Sequence, residues 1–327
     1  MIRLKWIGAL VALIFAFGLN DCFAQNWPAR PVTLVVTFAA GSGDDVLARI
    51  ISPQLSEILG QQLVVEDVGG AGGMNGTSRV ARASFDGYEA VLGGTGTFAA
   101  NQTLYKHPSY NALTDFIPVG LVAEQPLILV ARRDFPADTL QQFITYAKAN
   151  HENLRFASGG TGSATHLGCV LLNSSIGANV THVPYRSTAI AIQDMLAGRI
   201  DYACPIASTA LSQIQAHQLK AIAILTKSRS PILPELATAQ EQGLANFEAY
   251  IWNGIFLPKG TAPAIVAKFN DALGKTLDKA EVQNRIKQIG GTVVSRERRA
   301  PDYLRQFVAS EIAKWAAPIK AAGVSID

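Results

Sequence analysis

The sequence predicts an α/β protein of two lobes, each a mainly parallel sheet flanked by helices, with a ligand cleft between them. Three observations carry this. Strand-like apolar runs alternate with helix-period segments along the chain, the pattern of βαβ units. Two stretches, Val32–Arg49 and Leu154–Leu172, pass from an apolar strand through a glycine-rich turn into a helix. Two long extended apolar runs, Pro118–Ala131 and Asn246–Leu257, are long enough to cross from one lobe to the other and return. The crossings imply a discontinuous first domain, 25–124 plus 250–327, and a second, 125–249, with a hinge that permits closure.

In the first lobe the pattern predicts a strand at 32–38, a helix at 44–59 and a strand at 62–66. A glycine cluster at 69–76 then opens a helix to about Ala83, and a strand at 88–93 leads into Gly94-Thr95-Gly96-Thr97 and a helix or turn to Leu104. The second lobe reads as helix 138–149, strand 154–158, loop 159–165, a helix to about Ser175, strand 179–185, helix 188–198, strand 201–206, helix 208–217 and strand 219–225. The tail reads as helices at 264–279, 281–289 and 301–322. In the last, Leu304, Phe307, Val308, Ile312, Trp315 and Ile319 recur at helical spacing and predict a face that packs back on the first lobe.

With 327 residues, 49% hydrophobic and 16% charged, the chain is an ordinary folded one of about two domains. A net charge of +3 with no basic run argues against nucleic acid. Met1–Ala24 differs in kind: Arg3 and Lys5 precede the apolar stretch Trp6–Leu19, and Cys22-Phe23-Ala24 forms a small-x-small site, the pattern of a secretory signal peptide. The apolar stretch falls short of the ~20 residues needed to span a bilayer, and Asn20 and Asp21 argue against lipidation at Cys22. The mature chain would keep Cys169 and Cys204, either paired, as an oxidising compartment allows, or two buried small hydrophobes.

Strand, small-residue turn and helix start together present unpaired backbone N–H groups and the positive end of a helix dipole, which attract carboxylate or phosphate. Two such ends facing each other would hold a small anion. Other chemistries fit less well. Gly94–Ala99 matches the G-x-G-x-x-A dinucleotide pattern, but the acidic residue expected about 20 positions later is missing. Neither Asp44 and Asp45 nor the cysteines have metal-ligand spacing, so no metal and no cofactor is expected. Ser163 and His166 invite an esterase reading, yet the G-x-S-x-G elbow is absent. The plainer account makes Ser163 or Thr165 a helix cap with His166 in the first turn. Asp44 and Asp45 also read as caps, one of them fixing the loop rather than touching ligand. Arg186 reads either as a fork for a distal carboxylate or as a solvated loop arginine, and Tyr250 and Trp252 as core.

The stretches WPARPVTLVVTFAAGSGDDVLAR, LVVEDVGGAGGMNG, DGYEAVLGGTGT, RFASGGTGSATHL, THVPYRSTAIAIQDMLAGRIDY, LKAIAILTKSRSPILPELATAQEQG and FLPKGTAPAIVAKFNDAL, in this order over almost all the mature chain, resemble the Bordetella-uptake-gene family. These are the extracytoplasmic receptors of tripartite tricarboxylate transporters. The resemblance implies a type II-like periplasmic binding protein, without enzymatic activity, that passes a small organic acid anion to membrane subunits; a monomer is expected. It implies ligand contacts from Phe38, Ala39, Ala40, Gly41, Ser42 and Asp45 with Thr95 and Thr97 in lobe one. In lobe two it points to Gly162, Ser163, Thr165, His166 and Cys204. Similar proteins tend to have prolines at the places of Ala39 and Ala40, an Asn-Arg-Pro run where Asp67-Val68-Gly69 stands, and an acid in the stretch occupied here by Tyr202–Ile206. Loss of that acid predicts a more apolar distal pocket and an aliphatic or aromatic mono- or dicarboxylate rather than an amino acid or citrate. The competing readings are a secreted esterase-type hydrolase using Ser163 and a sensor that presents ligand to a membrane receptor.

Overall fold

The computed structural model describes residues 27–321 and Ser325, so the expected export signal at 1–24 lies outside the described residues. Two sheets organise the rest. The first runs β11 (Thr292–Val293), β4 (Phe116–Pro126), β10 (Tyr250–Pro258), β3 (Glu89–Gly94), β1 (Val32–Val36), β2 (Leu63–Asp67). The second runs β7 (Thr181–Pro184), β6 (Arg155–Ser158), β8 (Tyr202–Ala203), β5 (Ile128–Arg132), β9 (Leu219–Ile224). The two-lobed α/β class expected from the sequence holds, with one refinement: both sheets are mixed. β1 pairs parallel with β2 and β3, and β6 with β7 and β8, as βαβ units require. The strands that come from the crossings reverse this: β10 is antiparallel to β3 and β4, and β5 to β8 and β9.

The crossings are strands that connect the two sheets. The expected run 118–131 is β4 and β5 joined at Leu127, which leaves one sheet and enters the other without a turn. The return, β10, starts at Tyr250. Three backbone bonds stitch the junction: Leu225 N to the Leu127 carbonyl (2.9 Å), Ala249 N to Leu225 O (2.6 Å) and Ile128 N to Pro205 O (3.0 Å). The expected strand 201–206 shrinks to Tyr202–Ala203, because Pro205 has no N–H to continue the ladder.

Both sheets are covered on both faces, which is why their strands are continuously apolar. In the first lobe α1 (Gly43–Leu59), α8 (Pro263–Asp278) and α9 (Ala280–Gln288) cover one face through Leu47, Ile51, Phe269 and Ile286. The other face carries α10 (Pro301–Ala321), whose Leu304, Val308, Trp315 and Ile319 pack with Phe98, Leu121, Trp252 and Phe256. The helix thus docks where its periodicity predicted, each large apolar side chain contributing about 1.5–3 kcal/mol by burial. Trp252 is fully buried and its indole N–H donates to the Glu311 carboxylate at 2.9 Å, while Lys314 lies over the Tyr250 ring at 4.7 Å. Among the described residues no helix is long and apolar enough to cross a membrane.

Candidate functional site

Each glycine-rich junction folds into a loop anchored by its own side chains. At the first, Ser42 caps α1, its Oγ accepting from Asp45 N at 3.2 Å; Asp45 Oδ2 accepts from Gly41 N at 2.8 Å, and its Oδ1 pairs with Arg49 at 2.6 Å. Asp45 is therefore the residue that fixes the loop. Gly41 adopts φ +80°, a conformation costly to any residue with a Cβ. At the second junction Ser163 caps α5 (Ala164–Ile176), its Oγ accepting from His166 N at 3.2 Å, and Thr165 Oγ1 accepts from Gly159 N at 3.0 Å. A third loop forms after β3, where Gly94 N donates to Thr97 Oγ1 at 3.0 Å and Thr95 Oγ1 accepts from Trp252 N at 3.1 Å.

These loops enclose a small buried cavity between the lobes, leaving about 30 Å³ in which a water-sized centre can sit. Five helical segments begin at its wall. They are α1 at Ser42–Asp44, the π-helical turn Thr95–Ala100 that continues into α3 (Asn101–Leu104), α5 at Ser163–Thr165, α6 (Thr188–Leu196) at Ser187–Thr188, and α7 (Ala207–Gln215) at Ile206. The first amides of a helix have no intrahelical acceptor and carry its positive partial charge. Phe38, Ile206 and Ile251 supply apolar surface, and among the described residues no lysine or arginine lines the cavity. The wall is suited to an anion held by backbone and hydroxyl donors rather than by a side-chain cation.

The lobes meet around the cavity through glycine backbones. A Cβ at Gly96 would lie 3.0 Å from Gly162 O and 3.1 Å from Ala164 N across the cleft, and one at Gly72 would collide with the Thr161 carbonyl. Only residues without side chains permit this approach.

Of the residues expected at the site, the structure brings Phe38, Ser42, Thr95, Thr97, Ser163 and Thr165 to one cavity. Ala39 and Ala40 instead face a separate outer groove with Asp67, Asn75 and exposed Arg186. Gly41 is exposed and Asp45 faces its own loop. Gly162 and His166 stand behind the cavity wall: Gly162 N donates to His166 Nδ1 at 3.3 Å, and the His166 ring packs on His182 with centroids 4.1 Å apart. Burial pushes His166 down to about 3, with His182 adding to the effect, and pushes His182 down to about 4, so both rings are neutral and His166 accepts the loop N–H. Ser163 Oγ is engaged as a cap and with Thr165, not with an imidazole nitrogen, which removes the geometry an esterase would need.

Cys204 does not line the cavity. It is fully buried in a disulfide with Cys169, Cα atoms 5.5 Å apart, which ties β8 to α5. The acid missing from Tyr202–Ile206 does not leave the cavity without one, because Asp44 of the first lobe lines it. It is 6% exposed, and desolvation raises its pKa to about 6 against the opposing hydrogen bond from Asn253 Nδ2 at 2.8 Å. Gly43, Gly94, Gly96, Gly159, Ala164, Ser187, Thr188, Ile206 and Ile251 are further lining residues that the sequence reading did not assign. Ser187 carried a usable signal, a cap residue directly before an apolar-periodic helix.

Two lobes joined by crossing strands, closing on a cavity of helix starts, define a solute-binding protein of the periplasmic type. A family model described as the tripartite tricarboxylate transporter family receptor matches residues 47–324. The chain belongs to that family, whose members are solute receptors and not enzymes. A UPF0065 protein of Agrobacterium vitis, from the TAR-I ttuE-ttuC' intergenic region, is 36% identical, the match covering 91% of this chain and 86% of the relative. Protein BugT of Bordetella pertussis is 33% identical over 93% of this chain and 92% of its own. The solved periplasmic binding protein BugD superposes with a TM-score of 0.88 at 38% identity, covering 91% of this chain and 99% of its own. MatC of Rhodopseudomonas palustris with bound malate gives 0.86 at 37% identity over 90% and 100% of the two chains. The same organism's Rpa4515 with adipate gives 0.87 at 31% identity, over 91% and 99%.

Proposed function

We propose that the protein is an exported receptor that captures a small aliphatic mono- or dicarboxylate between its lobes and delivers it to the membrane subunits of a tripartite transporter. The observation that carries this reading is the convergence of five helix starts on one buried cavity that has no cationic side chain in its wall. A carboxylate placed there receives charge-assisted bonds from backbone N–H groups in a water-poor environment, where each is worth about twice a neutral one. The malate and adipate held by similar receptors support the chemical class.

The same reading assigns residues 25–124 plus 250–327 to the first lobe and 125–249 to the second, with export directed by Met1–Ala24 and the receptor acting as a monomer. Calorimetry of the mature protein against a panel of mono-, di- and tricarboxylates, amino acids and aromatic acids tests it. A ligand present at 100 times its Kd adds about 2.7 kcal/mol to stability, so a thermal shift confined to aliphatic acids is expected. Failure of every carboxylate to bind would overturn the reading.

A further inference from the structure

We propose that Asp44 selects ligands bearing a neutral hydrogen-bond donor, a hydroxyl group close to the bound carboxylate, so that the preferred ligand is a small hydroxy acid. The proposal rests on the carboxylate-receptor reading above and narrows it. Asp44 is the only ionisable side chain in the cavity wall among the described residues. Its neighbours there are donors toward the cavity. Ser42 Oγ and Thr95 Oγ1 each accept a backbone N–H and have no other partner, which leaves their protons free for a ligand, whereas Thr97 donates to Gly94 O and Ser163, Thr165 and Thr188 share a hydroxyl chain. A ligand carboxylate satisfies donors. It offers no proton to an ionised Asp44.

The carboxyl is held in place by amides from both crossing strands. Gln125 Nε2 of β4 donates to Asn253 Oδ1 of β10 at 3.0 Å, and Asn253 Nδ2 donates to Asp44 Oδ1 at 2.8 Å; all three side chains are buried. Among the described residues Asn253 is the one side chain that donates to the carboxyl, and Asp44 lines the cavity, so the oxygen not taken by Asn253 can serve a ligand. A nearly buried carboxyl with one side-chain donor is costly to ionise, and desolvation raises this one. A ligand hydroxyl supplies the missing donor. An ammonium group is a poorer match, because the helix starts that surround Asp44 present positive partial charge to any cation.

Calorimetric dissociation constants for matched acids test this: lactate against propionate, malate against succinate, and aspartate as the ammonium-bearing third member. In the native protein the hydroxy acid of a pair is expected to bind about 10- to 100-fold more tightly than its unsubstituted partner, the range for a hydrogen bond to a charged group. Asp44→Ala should bring that ratio to near one, and Asp44→Asn, which keeps an acceptor and the helix start, should retain part of it. Equal binding within both pairs, or a preference that survives Asp44→Ala, overturns the inference and leaves the carboxylate reading standing. Tighter binding of aspartate than malate overturns the choice of a neutral donor. Binding of no carboxylate at all overturns both.

Discussion

Buried Asp44 and the His166–His182 pair near the cavity titrate with opposite consequences for stability. Asp44 has a folded pKa raised from 3.8 to about 6. Its contribution is therefore fully present below the unfolded pKa and is lost as pH rises through 6, leaving a buried carboxylate at neutral pH. Asp44→Asn should stabilise the unliganded protein at pH 7 by about 1–3 kcal/mol, given about 1.4 kcal/mol for each pH unit of displacement. The gain should disappear below pH 4, as urea denaturation across pH would reveal. His166 and His182 act the other way. Their folded pKa values lie near 3 and 4, so on acidification below 6.5 the unfolded chain takes up protons first and stability falls. His182→Gln should flatten that acid limb between pH 6.5 and 4, which the same titration measures. At this scale the sequence was only half legible. Ser42, Ser163 and Thr165 announce themselves as caps before apolar-periodic helices. That Asp44 lines the cavity while bonded to Asn253, 209 positions away, is encoded by no local pattern.

Among the elements, the strand–glycine–helix junctions were the most readable, because glycine, a capping hydroxyl and helical periodicity are adjacent in the chain. The two-residue β11 and β8 were not, since a strand that short has no period to detect. The antiparallel placement of the crossing strands was equally hidden, because it is set by how the lobes are threaded and not by any residue in them. The Cys169–Cys204 bridge, which sequence left open against two separate buried thiols, joins β8 to the helix that opens at the cavity. It closes a loop 35 positions long. Replacing both cysteines by serine should cost about 3–4 kcal/mol of unfolding free energy on the chain-entropy account, and weaken ligand binding through looser seating of α5. Denaturation of the oxidised and the double-serine proteins would measure the first, calorimetry the second.

For the molecule as a whole, closure places Gly96 of one lobe against the backbone at 162–164 of the other. Gly96→Ala should hold the lobes apart, since the added carbon would sit 3.0 Å from Gly162 O and neither neighbour is a flexible side-chain tip. Overpacking of this kind costs about 1–3 kcal/mol, so affinity should fall by at least about fivefold. The melting temperature without ligand should barely move, and small-angle scattering should show less compaction on ligand addition than in the native protein. The two-lobe plan itself was legible in the sequence, because two unpunctuated extended runs separate blocks of βαβ pattern. The glycine-to-glycine contact was not, since it joins loops that only closure brings together.

That bare contact has a further consequence. Among the described residues no direct side-chain hydrogen bond or ion pair spans the lobes at Gly72 and Gly96, where backbone touches backbone, or at Gly162, which lies against the Asn101, Leu104 and Tyr105 side chains. Leu167 and Ile206 add apolar contact between the lobes, and a ligand bonded to both lobes adds differential affinity for the shut form and shifts the balance toward it. The outline of the receptor then becomes a message about its contents. A transporter subunit that grips only the shut outline would read loaded from empty without ever touching the cargo, and idle copies would leave its docking face free.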